Sequence, residues 1–217
     1  MDKKVLDQQS QYWEKNFLSK PEMFGLDPSE AAINTLKTFK EESIKKIVEL
    51  GAGLGRDTLF FAKNAISVEA LDYSPTAIKI INKKSLEHKL SNLISTQIFD
   101  VRKKLPFEDN SIEACFSHML YCMALSIAEL KYLNGEICRI LKSGGINVYT
   151  ARHTEDGDYK NGTHIGEDLY ENDGFIVHFF SEEKIEQISE GFKILEIENF
   201  EEGKFPRKLF RVTLKKQ

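Results

Sequence analysis

Two apolar segments, separated by a glycine-rich turn and a short helical stretch, restrict the fold of this chain more than any other feature. The first segment runs from Ile44 to Leu50 and is followed by glycines at positions 51, 53 and 55; the second ends in an acid, Asp72. A run of Ile, Val and Leu is typical of a parallel strand that is buried on both faces. The pattern predicts a strand, a tight turn, a helix and a second strand, the unit on which nucleotide-binding parallel sheets are built.

Each part of this unit has a physical role at a cofactor. Gly51, Gly53 and Gly55 let the backbone turn sharply and leave no Cβ between it and a ligand. The helix that follows, from about Arg56 to Asn64, begins with free N–H groups that suit an anionic group. Asp72 ends the second strand, where its carboxylate can accept hydrogen bonds from two ribose hydroxyls. The segment therefore predicts a site for a ribose-containing cofactor.

The glycine spacing and the residue before the turn distinguish between cofactors. Dinucleotide-binding turns usually read G-x-G-x-x-G, whereas this turn reads G-x-G-x-G, with Arg56 at the position of the third glycine. Glu49 lies just before the turn, and a negative charge there disfavours a pyrophosphate but favours an ammonium or sulfonium group. A nicotinamide-dependent oxidoreductase is therefore the less favoured alternative.

The segments E-L-G-A-G-L-G-R (49–56) and A-L-D-Y-S (70–74) resemble the first two motifs of class I S-adenosylmethionine-dependent methyltransferases. The resemblance extends over about residues 40–150. It implies S-adenosylmethionine as cofactor and S-adenosylhomocysteine as product, with Glu49 and Gly55 in the cofactor-binding segment. It further implies that Gly51, Ala52 and Gly53 lie beneath the methionine part of the cofactor, that Asp72 holds the ribose and that Tyr73 flanks the adenine.

Two later segments resemble the same family. Asp100-Val101, followed by L-P-F-E-D-N-S-I (105–112), resembles its adenine-binding stretch. This implies that Asp100 accepts a hydrogen bond from the adenine amino group and that the Val101 N–H meets a ring nitrogen. By the same resemblance, Ser117 and His118 follow the fourth strand beside the methionine part of the cofactor. His118 is a candidate cofactor contact and a candidate base; a structural role is the alternative.

Strands and helices alternate along most of the chain. Predicted strands cover residues 44–50, the segment ending at 72, 93–99, 112–117 and 146–150, and a terminal hairpin covers 193–200 and 208–214. This order predicts a three-layer, Rossmann-like α/β fold with a mostly parallel seven-stranded sheet, an antiparallel last strand and helices on both faces. We expect one methyltransferase domain over residues 1–217, with a helical cover (1–40), a cofactor-binding core (41–150), a substrate lid (151–180) and a terminal helix and hairpin (181–217).

Residues 151–180 read as an irregular segment rich in His, Gly, Asp and aromatic residues. A long loop on the cofactor side of a sheet is often a lid, and the alternative is a polar surface loop. The candidate catalytic residues here are His153 and His164. The candidate substrate-binding residues come from the cover, the segment after the fourth strand and this segment: Tyr12, Trp13, Phe24, Tyr121, His153, Tyr170 and His178. The histidine spacing matches no familiar zinc pattern, so no metal is predicted.

Composition excludes several classes of protein. The 217 residues carry a net charge of −4, and the lysine pairs are scattered, so we expect no nucleic-acid partner. No apolar run approaches the roughly 20 residues that cross a bilayer, so we expect no membrane partner. Three cysteines without metal-ligand spacing favour a reducing cytoplasm. Both a monomer and a homodimer remain open.

The sequence therefore predicts a methyltransferase that moves a methyl group to a small-molecule acceptor by in-line displacement. Such chemistry requires alignment and exclusion of water, and it requires a base only if the acceptor arrives protonated. The segment from Glu201 to Phe210 loosely resembles the tellurite-resistance and thiol-methylating groups, which favours a small acceptor. A non-catalytic cofactor-binding subunit or sensor is the other alternative. The accepting atom stays open.

Overall fold

The computed structural model describes residues 8–21, 23–203 and 207–217. In these residues six helices and ten strands follow one another along the chain. The helices are α1 (Gln9–Ser19), α2 (Glu30–Glu41), α3 (Arg56–Lys63), α4 (Pro75–Glu87), α5 (Ile127–Ile140) and α6 (Glu182–Ile188). The strands are β1 (Lys46–Leu50), β2 (Ser67–Asp72), β3 (Ile94–Ile98), β4 (Ile112–Ser117), β5 (Leu141–His153), β6 (Thr163–Gly166), β7 (Leu169–Asn172), β8 (Phe175–Phe180), β9 (Phe192–Glu202) and β10 (Arg207–Lys216).

The central sheet has the predicted architecture. Its parallel strands lie in the order β3-β2-β1-β4-β5. Strand β10 then pairs with β5 in the antiparallel sense, and β9 pairs with β10. The mostly parallel sheet with an antiparallel last strand is therefore confirmed. Because β1 lies between β2 and β4, the chain reverses its direction across the sheet at β1, which is where ligands bind in such folds.

Helices cover both faces of the sheet. On one face α2, α3 and α4 pack through Phe39, Phe61 and Ile81. On the other face α5 and α6 pack through apolar side chains that include Leu133 and Ile185. Strand β1 supplies alternate residues to each face, which explains its nearly continuous apolar sequence. No helix in the described part of the chain is long and apolar enough to cross a membrane.

Residues 151–180 differ from the prediction, because most of the segment is regular structure. Strand β5 is longer than predicted at both ends and continues to His153, and β6, β7 and β8 form an antiparallel meander, which we call the meander. Its two turns place Glu167-Asp168 and Asp173-Gly174 at positive φ, as two-residue hairpin turns require. The strands are only four to six residues long and partly polar, so their sequence pattern did not distinguish them from a loop.

The meander lies beyond the end of β4, beside the last residues of β5. Strand β4 pairs with β5 as far as Ser117 and Tyr149, and β8 pairs in parallel with Arg152 and His153 farther along β5. Strand β8 therefore occupies the place that β4 would take if it continued. This brings the meander to the carboxyl edge of the sheet, the edge at which the glycine turn also lies.

Candidate functional site

A cavity of about 250 Å³ lies at the carboxyl ends of the parallel strands. It is lined by Gln9 and Ser10 of α1, by residues after β2 and β3, and by a segment after β4: Tyr73, Asp100, Val101, Arg102, Leu120, Met123, Ala124 and Leu125. A more open groove along the other side of α1 shares Ser10 and Tyr73 with the cavity. The predicted adenine residues Tyr73, Asp100 and Val101 are thus brought together from two strand ends.

The glycine turn adopts the backbone that its sequence requires. Gly51, Gly53 and Gly55 have φ values of 69°, 53° and 78°, a region that residues with a Cβ seldom enter. The amides of Gly51 and Ala52 both donate to the Leu71 carbonyl, at 2.8 and 3.1 Å. These two N–H groups therefore hold the turn against β2, and the face opposite Leu71 is the one left for a ligand.

Asp72 connects the end of β2 to the glycine turn. One carboxylate oxygen accepts a hydrogen bond from the Gly53 N–H at 2.8 Å, and the other accepts one from the Ser74 N–H at 2.9 Å. Each oxygen of an ionised carboxylate retains a further lone pair, so two ribose hydroxyls can still be accepted. Burial raises the pKa of Asp72 to about 6 despite these hydrogen bonds.

Glu49 adds a second buried acid beneath the turn. Its side chain accepts a hydrogen bond from the Thr58 hydroxyl at 2.5 Å. Burial raises the pKa of Glu49 well above its usual value, and the charges of Asp57 and Asp72 add to the shift. Two buried carboxyl groups with raised pKa values favour a cationic ligand over a pyrophosphate, because a nearby positive charge lowers the cost of ionising them.

Asp100 has a partner that the sequence analysis did not identify. The Arg102 guanidinium donates to both carboxylate oxygens, with an Nη2–Oδ2 distance of 2.8 Å, and the Arg102 N–H donates to Oδ1 at 3.0 Å. Burial alone would raise the pKa of Asp100, but these hydrogen bonds and the charge of Arg102 hold it below its usual value. Asp100 is thus an ionised acceptor at the wall of the cavity.

His118 lies after β4, with partners on both ring nitrogens. Nδ1 is 3.1 Å from the Thr150 hydroxyl, and Nε2 is 3.0 Å from a carboxylate oxygen of Glu202. The Arg56 guanidinium meets the other oxygen of Glu202 at 3.3 Å. Ser117, one residue earlier, is fully buried. The prediction missed Thr150 and Glu202 because they lie far from His118 in the sequence.

The other predicted histidines do not join this site. His153 packs on Phe210 on the opposite face of β5 from Thr150, because side chains alternate along a strand, and its Nδ1 accepts the Glu155 N–H. His164 is exposed and packs against Tyr170. The structure therefore places neither His153 nor His164 beside His118, and a catalytic role for either stays a prediction.

Two predicted substrate contacts are core residues. His178 is fully buried between the Leu125 carbonyl, 2.8 Å from Nδ1, and the Lys184 ammonium, 2.9 Å from Nε2. Tyr121 is also fully buried, donates to Asn134 and stacks on Tyr149. Neither side chain has surface to offer a substrate. Both side chains contribute to packing of the core instead. Each lies among apolar residues in the sequence, a pattern that is typical of buried positions.

The N-terminal aromatic residues pack mainly on one another. Tyr12 stacks on Phe175 of β8, and Trp13 meets Phe175 edge-on. Phe24 contacts Trp13, and Tyr170 belongs to a separate aromatic group with Tyr159 and Phe179. Helix α1 lies against the cavity, and Gln9 and Ser10 line it rather than Tyr12 and Trp13. Within residues 8–21, 23–203 and 207–217, no group of three or more His, Cys, Asp or Glu side chains is placed to hold a metal ion.

Known proteins resemble this chain in sequence and in fold. A family model described as a methyltransferase domain matches residues 48–149. A phosphoethanolamine N-methyltransferase 1 of Triticum aestivum is 37% identical over 128 residues, which are 57% of this chain and 25% of that protein. The chain therefore spans about a quarter of the length of this curated relative.

Two solved structures share nearly the whole fold. The N-methyltransferase NodS of Bradyrhizobium japonicum, in complex with S-adenosylhomocysteine, aligns with a TM-score of 0.74 at 14% identity over 97% of this chain and 99% of that one. The magnesium protoporphyrin IX methyltransferase of Synechocystis, with bound S-adenosylmethionine, aligns with a TM-score of 0.73 at 9% identity over 98% and 97%. These alignments show that the chain has the fold of class I S-adenosylmethionine-dependent methyltransferases, and residues 48–149 are the part that resembles the methyltransferase-domain family in sequence.

Proposed function

We propose that this protein is an S-adenosylmethionine-dependent methyltransferase that methylates a small molecule and releases S-adenosylhomocysteine. The observation that carries the proposal is the hydrogen bond from the Gly53 N–H to Asp72, which joins the glycine turn to the predicted ribose-binding acid. The bound cofactors of the two structural neighbours support the same cofactor here.

The residues present fit this cofactor from one end to the other. Tyr73 and Val101 offer flanking surface for an adenine, and Asp100 is an ionised acceptor for its amino group. Asp72 has lone pairs left for the ribose hydroxyls. Glu49 and Asp72 place two acids near the glycine turn, where the methionine part carries its ammonium and sulfonium charges. We also propose that the chain forms a single domain in which α1 and α2 cover the cofactor site.

Bound cofactor supplies an activated methyl group, so the chain's own residues need only align the reactants and exclude water. Helix α1 covers the cavity, and the apolar side chains Leu120, Met123 and Leu125 form its wall on the side of β4. Such a wall displaces water from the path between acceptor and donor. The relative named for phosphoethanolamine and the neighbour named for magnesium protoporphyrin IX, both small molecules, support a small-molecule acceptor here.

We also propose a cytoplasmic location. Cys115, Cys122 and Cys138 are all free thiols, and unpaired cysteines are typical of a reducing compartment.

Titration calorimetry with S-adenosylhomocysteine tests the cofactor and the role of Asp72 together. We expect saturable binding to the wild-type protein and binding that is at least about tenfold weaker in Asp72→Ala, because charge-assisted hydrogen bonds to the ribose are lost. Glu190→Ala, which removes an exposed carboxylate beyond α6, is the matched control and should bind like the wild type. Absence of binding to the wild type would refute the proposal, and unchanged affinity in Asp72→Ala would refute the assignment of that residue.

Label transfer distinguishes an enzyme from a non-catalytic cofactor-binding protein. We expect radiolabel from the methyl group of S-adenosylmethionine to appear in the small-molecule fraction of a metabolite extract. Labelling that is the same with heat-inactivated protein would favour the non-catalytic alternative.

A further inference from the structure

Glu202 joins two parts of the site from the far edge of the sheet. It is the last residue of β9, a strand separated from β4 by β5 and β10. Its carboxylate nevertheless meets the His118 ring at 3.0 Å and the Arg56 guanidinium at 3.3 Å. About a quarter of its side chain is exposed, so the contacts lie at a partly desolvated edge of the molecule.

The hydrogen bonds around His118 define which nitrogen carries the proton in the neutral ring. The ionised Glu202 carboxylate can only accept a hydrogen bond, so in the neutral ring the proton lies on Nε2 and is donated to Glu202. Nδ1 then accepts the Thr150 hydroxyl proton, and the Thr150 oxygen accepts the Met119 N–H at 2.8 Å. Neither Thr150 nor Glu202 has to rearrange for this assignment, and the imidazole is held in one plane by both.

The two groups that Glu202 holds flank the glycine turn. Arg56 is the first residue of α3, directly after Gly55, and its Nη1 also donates to the Phe24 carbonyl at 3.2 Å. The residues after His118 lie over the start of the turn, because a Cβ built on Gly51 would be 3.1 Å from Leu120. Met119, which lies between His118 and Leu120, has a φ of 62°, a strained value that the surrounding structure must maintain.

We propose that Glu202 is a positioning residue for the methyl-donor site, acting through His118 and Arg56 to hold the segment after β4 and the first turn of α3 in the arrangement that the methionine part of the cofactor needs. The inference rests on the proposed function and adds to it a residue from the terminal hairpin.

The charges around Glu202 agree with this role. Burial alone would raise the pKa of Glu202, but the hydrogen bond with His118 and the charge of Arg56 outweigh it and hold the pKa below its usual value. The carboxylate is therefore ionised at neutral pH. The groups that face it are His118 from the end of β4 and Arg56 from α3, and Arg56 in turn lies 3.9 Å from Asp57.

Variants of Glu202, Glu201 and His118 test the proposal by calorimetry with S-adenosylhomocysteine. We expect Glu202→Ala to bind about tenfold more weakly than the wild type, and Glu202→Gln to fall between them because its amide oxygen still accepts the His118 Nε2–H. Glu201→Gln changes the neighbouring exposed carboxylate and should bind within about twofold of the wild type. His118→Gln combined with Glu202→Ala should lose little more than the larger single loss, because the two residues act as one unit.

Nitrogen NMR of the imidazole rings provides the readout that a purely structural role would not change. We expect His118 to show the Nε2-protonated form in the wild type and in Glu202→Gln, and a mixture of both tautomers in Glu202→Ala. Folded Glu202→Ala that binds S-adenosylhomocysteine within about twofold of the wild type, or that leaves the His118 signals unchanged, would overturn the proposal. If Glu202→Ala does not fold, Glu202→Gln is judged by its affinity alone, and binding within about twofold of the wild type would overturn the proposal. A wild type without affinity would overturn the proposed function and this inference together.

Discussion

Gly55 shows how closely the backbone and the packing of single residues constrain the cofactor turn. Its φ of 78° lies in the left-handed region, and an added Cβ would be 2.6 Å from Cγ1 of Ile81 in α4. The first constraint concerns the turn alone, and the second concerns the distance between α3 and α4. Only the first constraint is local to the turn, so the pattern of glycines at 51, 53 and 55 predicted the turn from sequence but not the contact with Ile81.

Gly55→Ala should therefore destabilise the protein by about 2–4 kcal/mol, the sum of left-handed strain and overpacking. Gly135→Ala is the matched control, because Gly135 lies in the middle of α5 with nothing within 4 Å of an added Cβ. The control should raise the free energy of unfolding by about 0.5–1 kcal/mol. Urea denaturation measures both changes, and equal effects would contradict this account of Gly55.

Among the elements, helix α1 connects the cofactor side of the site to the meander. Gln9 donates to the Gly174 carbonyl at 2.8 Å and accepts the Ile176 N–H at 3.3 Å, which fixes one end of the helix to the β7–β8 turn. Glu14 accepts the hydroxyl protons of Ser74 and Thr76 at the start of α4, which fixes its middle. One helix thus spans the ribose-binding side and the β8 side of the cavity.

Glu14→Gln should loosen α1, because one amide oxygen replaces two carboxylate oxygens that accept three hydrogen bonds. We expect amide exchange of residues 9–19 to become several-fold faster, by analogy with the roughly 1 kcal/mol that a helix-capping contact contributes. Lys15→Gln changes an exposed neighbour and should leave exchange unchanged. Exchange mass spectrometry with and without S-adenosylhomocysteine makes the comparison, and equal rates in both variants would refute the role of Glu14.

The elements differ in how far local sequence determines them. Strands β1, β2 and β4 follow from apolar runs, and α5 from the Ser126–Glu129 capping box, which the structure contains. The meander was not predicted, although Asp173-Gly174 is a recognised hairpin turn, because its strands are short and partly polar. The contacts of His118 with Thr150 and Glu202 depend on the folded sheet, and no local pattern contains them.

At the scale of the whole molecule, a buried lysine, Lys184, connects the main sheet to the meander. The Lys184 ammonium of α6 donates to the carbonyls of Glu167 and Phe179 and to Asp168, and it lies against His178. Burial and the adjacent Lys184 lower the pKa of His178 to about 4. The unfolded chain therefore takes up a proton on this histidine before the folded protein does.

Acid should consequently destabilise the folded molecule through His178. As pH falls from about 6.5 to about 4, the unfolded state binds the additional proton, so this residue contributes a loss of about 3 kcal/mol. His178→Gln cannot titrate, and its free energy of unfolding should fall less over the same range. Urea titrations at several pH values test this, and parallel curves for the two proteins would contradict it.

The pairing of β8 beside β5 also bears on how proteins of this fold diversify. His153 and Phe180 are neighbours in register, and the Thr154 N–H donates to the Phe180 carbonyl, so the intervening segment leaves and re-enters the sheet at adjacent points. A segment anchored in this way can be lengthened, shortened or exchanged while the strands that carry the glycine turn, Asp72 and Asp100 keep their places. One contiguous stretch of chain, residues 154–180, can therefore vary in evolution or be exchanged by grafting without displacing the strands that carry those residues.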